Sequence, residues 1–252
     1  MMRTWTNLTW PDDAYRTGQQ LYRRPAPRLA AFAPGGHPAP SACAIVYLPL
    51  HRTKMMSVTE QTLAFGFRAA SASGSAGLPA LAAVADLDLL AARRHAAILA
   101  GYQLARDLAA LRQAPDPAVL RGLAAVEREW ADRSPAAGRA AMFDCALDLP
   151  GRPLLEDACE RAGIAVWPGA QMSHGWQATV GAVARALMIA LVCARHHGRY
   201  EWAGTMRIGQ IVAAAAWDCL PWPGSGDAAA RACTAADLAT RAEPAAAAGN
   251  PQ

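Results

Sequence analysis

Apolar and polar positions change their period several times along this chain. Residues 43–50, Cys-Ala-Ile-Val-Tyr-Leu-Pro-Leu, form an almost unbroken apolar run, and Thr59–Ala69 alternates loosely with a period of two. Both patterns predict strands. The Ser/Gly/Ala stretch 70–77 predicts a loop. A helical period follows, with Asp86 as its cap and Leu87, Leu89, Leu90 and Ala91 opening its buried face. Ala96–Ala100 reads as a short buried strand, and Leu104–Gln113 as a helix stopped by Pro115 and Pro117. Over Pro117–Arg133, Val119, Leu120, Leu123, Val126 and Trp130 recur at helical spacing. Ala140–Cys145 predicts another strand, and Leu154–Ala162 a helix ended by Gly163. A long helix is expected over 177–197 and a last one over 207–219.

Residues 1–40 are rich in Pro, Arg and aromatic side chains. They read as an extended N-terminal arm, with a short helix around Asp12–Tyr22. From Pro221 onward Pro, Gly, Ser and Ala dominate, so 221–252 is expected to be a disordered tail. Residues 41–220 between them alternate helices with short buried strands. That order predicts an α/β domain with a mixed sheet of about five strands flanked by helices and a helical C-terminal part. No internal repeat is visible.

Composition narrows the picture. Hydrophobic residues make up 53% of the 252 and charged residues 17%, enough apolar material for a sizeable core and too much for a disordered chain. The net charge of +4 is unevenly placed: the first 36 residues carry +3, whereas 37–223 hold 17 basic against 15 acidic groups. Nucleic-acid-binding domains concentrate basic charge, and this core does not do so in sequence. The six cysteines (43, 145, 159, 193, 219 and 233) are dispersed, without a Cys-x-x-Cys, and the first residues lead into polar ones rather than an apolar run. Reduced thiols in a cytoplasm are the default expectation. Ala178–Ala194 is apolar apart from Thr179 and Arg185. An arginine near its middle costs roughly 2.5–3.5 kcal/mol on insertion, so a buried core helix is expected there rather than a membrane span.

The stretch most suggestive of chemistry is Leu99-Ala100-Gly101-Tyr102-Gln103-Leu104-Ala105-Arg106-Asp107-Leu108. A strand stops at Gly101, a polar pair follows, and an acid stands five residues after Tyr102 on the first turn of a helix. Further on, Phe143-Asp144-Cys145 closes a strand, and His174-Gly175-Trp176-Gln177-Ala178-Thr179 precedes the long helix. In order and interval these segments resemble the Asp-Glu-Asp-Asp exonucleases with a catalytic histidine, in the ribonuclease H-like superfamily. There, a first strand carries Asp-x-Glu, a strand-to-helix junction reads His-Asn-x-x-Phe-Asp-Leu, a later strand ends in Asp-Thr, and a last motif reads His-x-Ala-x-x-Asp-Ala. The four carboxylates hold two divalent cations and the histidine activates water.

The resemblance covers about 43–205 and places Asp107 on a metal-ligand position and His174 on the general-base position. It also shows what is missing. Tyr102 and Gln103 replace His-Asn, Thr179 stands where an Asp is expected, and Tyr47-Leu48-Pro49-Leu50 offers no carboxylate. Two magnesium ions need several hard oxygen ligands, so no metal and no other cofactor is expected. The preferred expectation is therefore a cleft turned to binding or acid–base conversion of a small organic molecule. His174 and Asp107 would be the catalytic pair, and Tyr102, Gln103, Trp176, Thr179 and Tyr47 would contact the substrate.

Each residue also has a structural reading. Asp107 suits a helix start, His174 a loop cap, Tyr102 and Trp176 a core, Asp144 a structural hydrogen bond, and His196-His197 the negative end of a helix. Two other functions stay open: a catalytically inactive nucleic-acid-binding or regulatory protein, favoured by the Arg-rich segment 16–28, and a structural subunit or homo-oligomer.

Overall fold

The segment Leu29-Ala30-Ala31-Phe32-Ala33 supplies the centre of the sheet, because all five residues are apolar and both of its faces are covered. The computed structural model describes residues 2–8, 27–36, 39–73, 77–113, 120–133, 138–167 and 175–216. In chain order the elements are β1 (Met2–Thr6), β2 (Arg28–Gly35), β3 (Ala42–Pro49), β4 (Met56–Ser57), β5 (Gly66–Ala72), α1 (Gly77–His95), β6 (Ile98–Gly101), α2 (Leu104–Arg112), α3 (Arg121–Asp132), β7 (Ala141–Asp144), α4 (Cys145–Asp148), α5 (Leu155–Arg161), β8 (Ile164–Ala165), α6 (Gly175–His196), β9 (Tyr200–Glu201), β10 (Met206–Arg207) and α7 (Ile208–Ala216).

Six strands form one mixed sheet in the order β1-β5-β3-β2-β6-β7. The β1–β5, β5–β3 and β3–β2 pairs are antiparallel, while β2–β6 and β6–β7 are parallel. The α/β class and flanking helices agree with the expectation, and the arrangement is consistent with a ribonuclease H-like sheet. Side chains alternate between two cores. Leu29, Ala31, Ala44, Val46, Ile98 and Ala100 meet α6; Ala30, Phe32, Ile45, Tyr47 and Leu99 meet α1, α2 and α3. The alanines have a structural use. α6 lies so close that a Cβ at Gly35 would collide with the Ala178 carbonyl oxygen. Although α6 is long and apolar enough to cross a membrane, 89% of its apolar window is buried inside the fold.

Several expectations are corrected. Of the described part of 1–40, residues 2–6 form the edge strand and 28–35 the sheet's central strand, not a surface arm. Pro34 disguises the strand, yet it falls beyond the Leu29–Ala31 stretch that pairs with β6. The second expected strand, 59–69, is displaced to 66–72, so part of the expected loop is strand. Asp86 does not begin a helix but lies within α1. Its Oδ1 accepts the Leu123 N–H at 2.8 Å, so it satisfies an orphan donor in the first turn of α3 from a neighbouring helix. Close approach is required there too, since a Cβ at Gly122 would strike the Asp86 carbonyl. The expected helix at 12–22 and the tail at 221–252 lie outside the described residues.

Candidate functional site

β2, β6 and β7 run parallel, so their carboxyl ends share one edge of the sheet, and there the chain turns from β6 into α2. Gly101 is required by this turn, because a Cβ would press into the Leu104 side chain at 2.7 Å. Gln103 then takes a left-handed conformation (φ 53°, ψ 41°), and its side chain is exposed. An αL glutamine is held only where its surroundings compel it.

What compels it is Asp144, the last residue of β7, paired with Gly101 in register. Asp144 is 1% exposed. Its Oδ1 accepts the Gln103 N–H at 3.0 Å and the Ala146 N–H at 2.9 Å, and its Oδ2 accepts the Trp130 indole N–H at 3.0 Å. Its own N–H donates to Asp148 Oδ2 at 2.7 Å, and Asp148 pairs with Arg133. The carboxylate that closes β7 is therefore occupied by three donors. Of the two sequence readings, the structural hydrogen bond describes it.

Asp107 sits in the first turn of α2, half-buried. Burial pushes its carboxyl up to about 7. The nearby Arg185 and Arg106 guanidiniums draw it back only in part, and the charge on Asp144 adds to the rise. Arg185 projects from the middle of α6, its guanidinium carbon 5.4 Å from the centre of the Tyr102 ring, a cation–π contact. Tyr102 is buried, and the Leu155 backbone at the start of α5 hydrogen-bonds its phenol. Burial foremost, then Glu156, raises the phenol's pKa, against the lowering effect of Arg185. The structure thus brings Tyr102, Gln103 and Asp107 together with Arg185, Asp144 and Glu156.

Other expected site residues stand apart. Tyr47 is buried on the α1 face, two strands from β6, within electrostatic reach of Asp88, Arg68 and Arg28. Its place on the sheet corrects the reading of it as a substrate contact. It was read as part of the first strand, but the strand beside β6 is β2, which also carries no carboxylate. Thr179 is fully buried at the start of α6 with Oγ1 unpartnered, so it is not open to a ligand as it stands. Trp176 belongs to the first turn of α6, but its side chain lies outside the described residues, as does the whole of His174. The expected pairing of His174 with Asp107 therefore lies outside the described residues. Sequence reasoning passed over Arg185, Trp130 and Glu156 as site groups. Only Arg185 left a signal: a lone cation in an otherwise apolar helix.

The donor set does not suit a pair of divalent cations. Among the described residues, no group of three or more His, Cys, Asp or Glu is arranged to hold a metal. Asp144 has given its oxygens to three N–H groups, and Asp107 already has a guanidinium in its field. Cys43, Cys145, Cys159 and Cys193 are buried free thiols whose pKa values burial raises, Cys159 to about 12, so none is poised as a nucleophile. No family model, curated protein or solved structure matches this chain.

Proposed function

We propose that the chain has an exonuclease-like fold whose cation-holding chemistry is lost, and that its cleft at the carboxyl ends of β6 and β7 takes a small organic molecule. Asp107 is the group that exchanges a proton with that molecule. The observation that carries this reading is the position of the Asp107 carboxyl, with a proton affinity near neutrality beside Arg185 and Tyr102. A carboxyl titrating near the working pH is present in both forms, as a general acid or base requires. Arg185 supplies positive charge within reach of the Asp107 carboxyl, and the Tyr102 ring gives it an aromatic neighbour. The reading does not need His174.

The first test is a small-molecule fragment panel screened by ligand-detected NMR against the intact chain, with Asp107→Asn and Tyr102→Ala alongside. Fragments that displace one another and bind at least about tenfold more weakly to both variants, the worth of about 1.4 kcal/mol, are the expected result. Magnesium- or manganese-dependent degradation of DNA or RNA that Asp107→Asn abolishes would overturn the reading. Salt-dependent gel shifts with single-stranded and duplex DNA or RNA, lost in Arg185→Ala, would favour a nucleic-acid-binding protein instead.

A further inference from the structure

A recess lies between α5, the loop before it and the last turn of α6. It encloses about 290 Å³. Pro153, Ala158, Ala162 and Val192 form a buried apolar floor, and Arg161, Arg195 and His196 stand exposed around it. No carboxylate lines it.

The cations are held in place rather than loose. Arg195 donates through Nη1 to the Ala162 carbonyl at 2.7 Å, and its guanidinium lies 4.7 Å from the centre of the Trp202 ring. Arg161 donates through Nη1 to the Pro150 carbonyl at 3.3 Å. The His196 ring rests 5.0 Å from the Phe143 ring. A guanidinium has five N–H donors, and each of these bonds uses one, leaving donors for an anion. Two held guanidiniums and an imidazole thus stand over an apolar floor, with no carboxylate among the lining residues. Water satisfies the cations but not the floor.

We propose that this recess binds a small organic anion: one carboxylate or phosphate head group held by Arg161, Arg195 and His196, and a short apolar body seated on Ala158, Ala162 and Val192. Pockets for drug-sized ligands begin at about 300 Å³, so the occupant is compact. This site is independent of the Asp107 cleft.

The test uses the intact chain with four probes in calorimetric titrations: phenylacetate, phenyl phosphate, the uncharged phenylacetamide, and inorganic phosphate. One of the two aromatic anions is expected to bind saturably, at least about tenfold more tightly than the amide and than inorganic phosphate, because only it offers both a charged head group and an apolar body. Whichever anion binds more tightly identifies the head group. Arg161→Gln combined with His196→Gln, both at exposed positions, lowers that affinity at least about tenfold while the circular dichroism spectrum stays that of the folded parent. Asp107→Asn leaves it unchanged, which separates this site from the cleft. Equal binding of the amide, equal binding of inorganic phosphate, an unaltered affinity in the double variant, or no saturable binding of either aromatic anion would each overturn the proposal.

Discussion

Replacing Asp107 by Asn is expected to make the protein more stable in alkaline solution while removing the group proposed to exchange a proton with the ligand. The folded carboxyl holds its proton up to about pH 7, against an ordinary value of 3.8. Between those limits the folded state binds more protons than the unfolded chain. The stability due to this group is complete below about pH 4 and is lost as pH rises to about 7. With each tenfold change in proton affinity worth about 1.4 kcal/mol, the full loss is about 4 kcal/mol. The side chain is half-buried, and solvent screening reduces this to about 1–2 kcal/mol. Asparagine keeps the shape and does not titrate. Urea unfolding at about pH 4 and about pH 9 reads the difference between the two proteins, which cancels the contribution of other groups such as the buried Asp88. Asp107→Asn exceeds the parent by about 1–2 kcal/mol at the higher pH and matches it at the lower. A pH-independent difference, or a less stable variant at the higher pH, would refute the reasoning.

Two further changes probe the framework of the fold. Asp144→Ala removes the acceptor of three N–H groups, two of them backbone, and leaves the Trp130 indole unpaired in the core. A loss of about 3–5 kcal/mol is expected in urea unfolding followed by tryptophan fluorescence, and a loss under about 1 kcal/mol would show these bonds to be marginal. Thr179→Val replaces a buried hydroxyl that has no partner with a methyl of the same size. It raises stability by about 1 kcal/mol, and a comparable loss in the same measurement would mean the hydroxyl is bonded.

Much of the sheet and most helices were legible in the sequence, because β3, β6, β7 and α6 are apolar runs and because stops such as Gly101 after β6 and Gly163 after α5 are clear. The central strand was not. Leu29–Ala33 is a short apolar run, rich in alanine, between Arg28 and Pro34, and local pattern alone does not say that both its faces are covered. The turn at Gly101–Asp107 was legible as a junction, and the structure does gather Tyr102, Gln103 and Asp107 there. The partners that set the chemistry were not. Arg185 comes from 78 positions beyond Asp107 along the chain, and Trp130 reaches Asp144 from a helix that local periodicity marks only as amphipathic. Tyr47 was misassigned for the same reason as the central strand: identifying a motif's strand requires the sheet order, which is a tertiary property.

The most direct test of the central claim is a carbon-13 NMR titration of the Asp107 carboxyl with and without excess magnesium. The account predicts a midpoint near 7, unmoved by the cation, and higher still in Arg185→Met because Arg185 holds it down. A midpoint at the ordinary aspartate value, or one that magnesium drives downward, would contradict it.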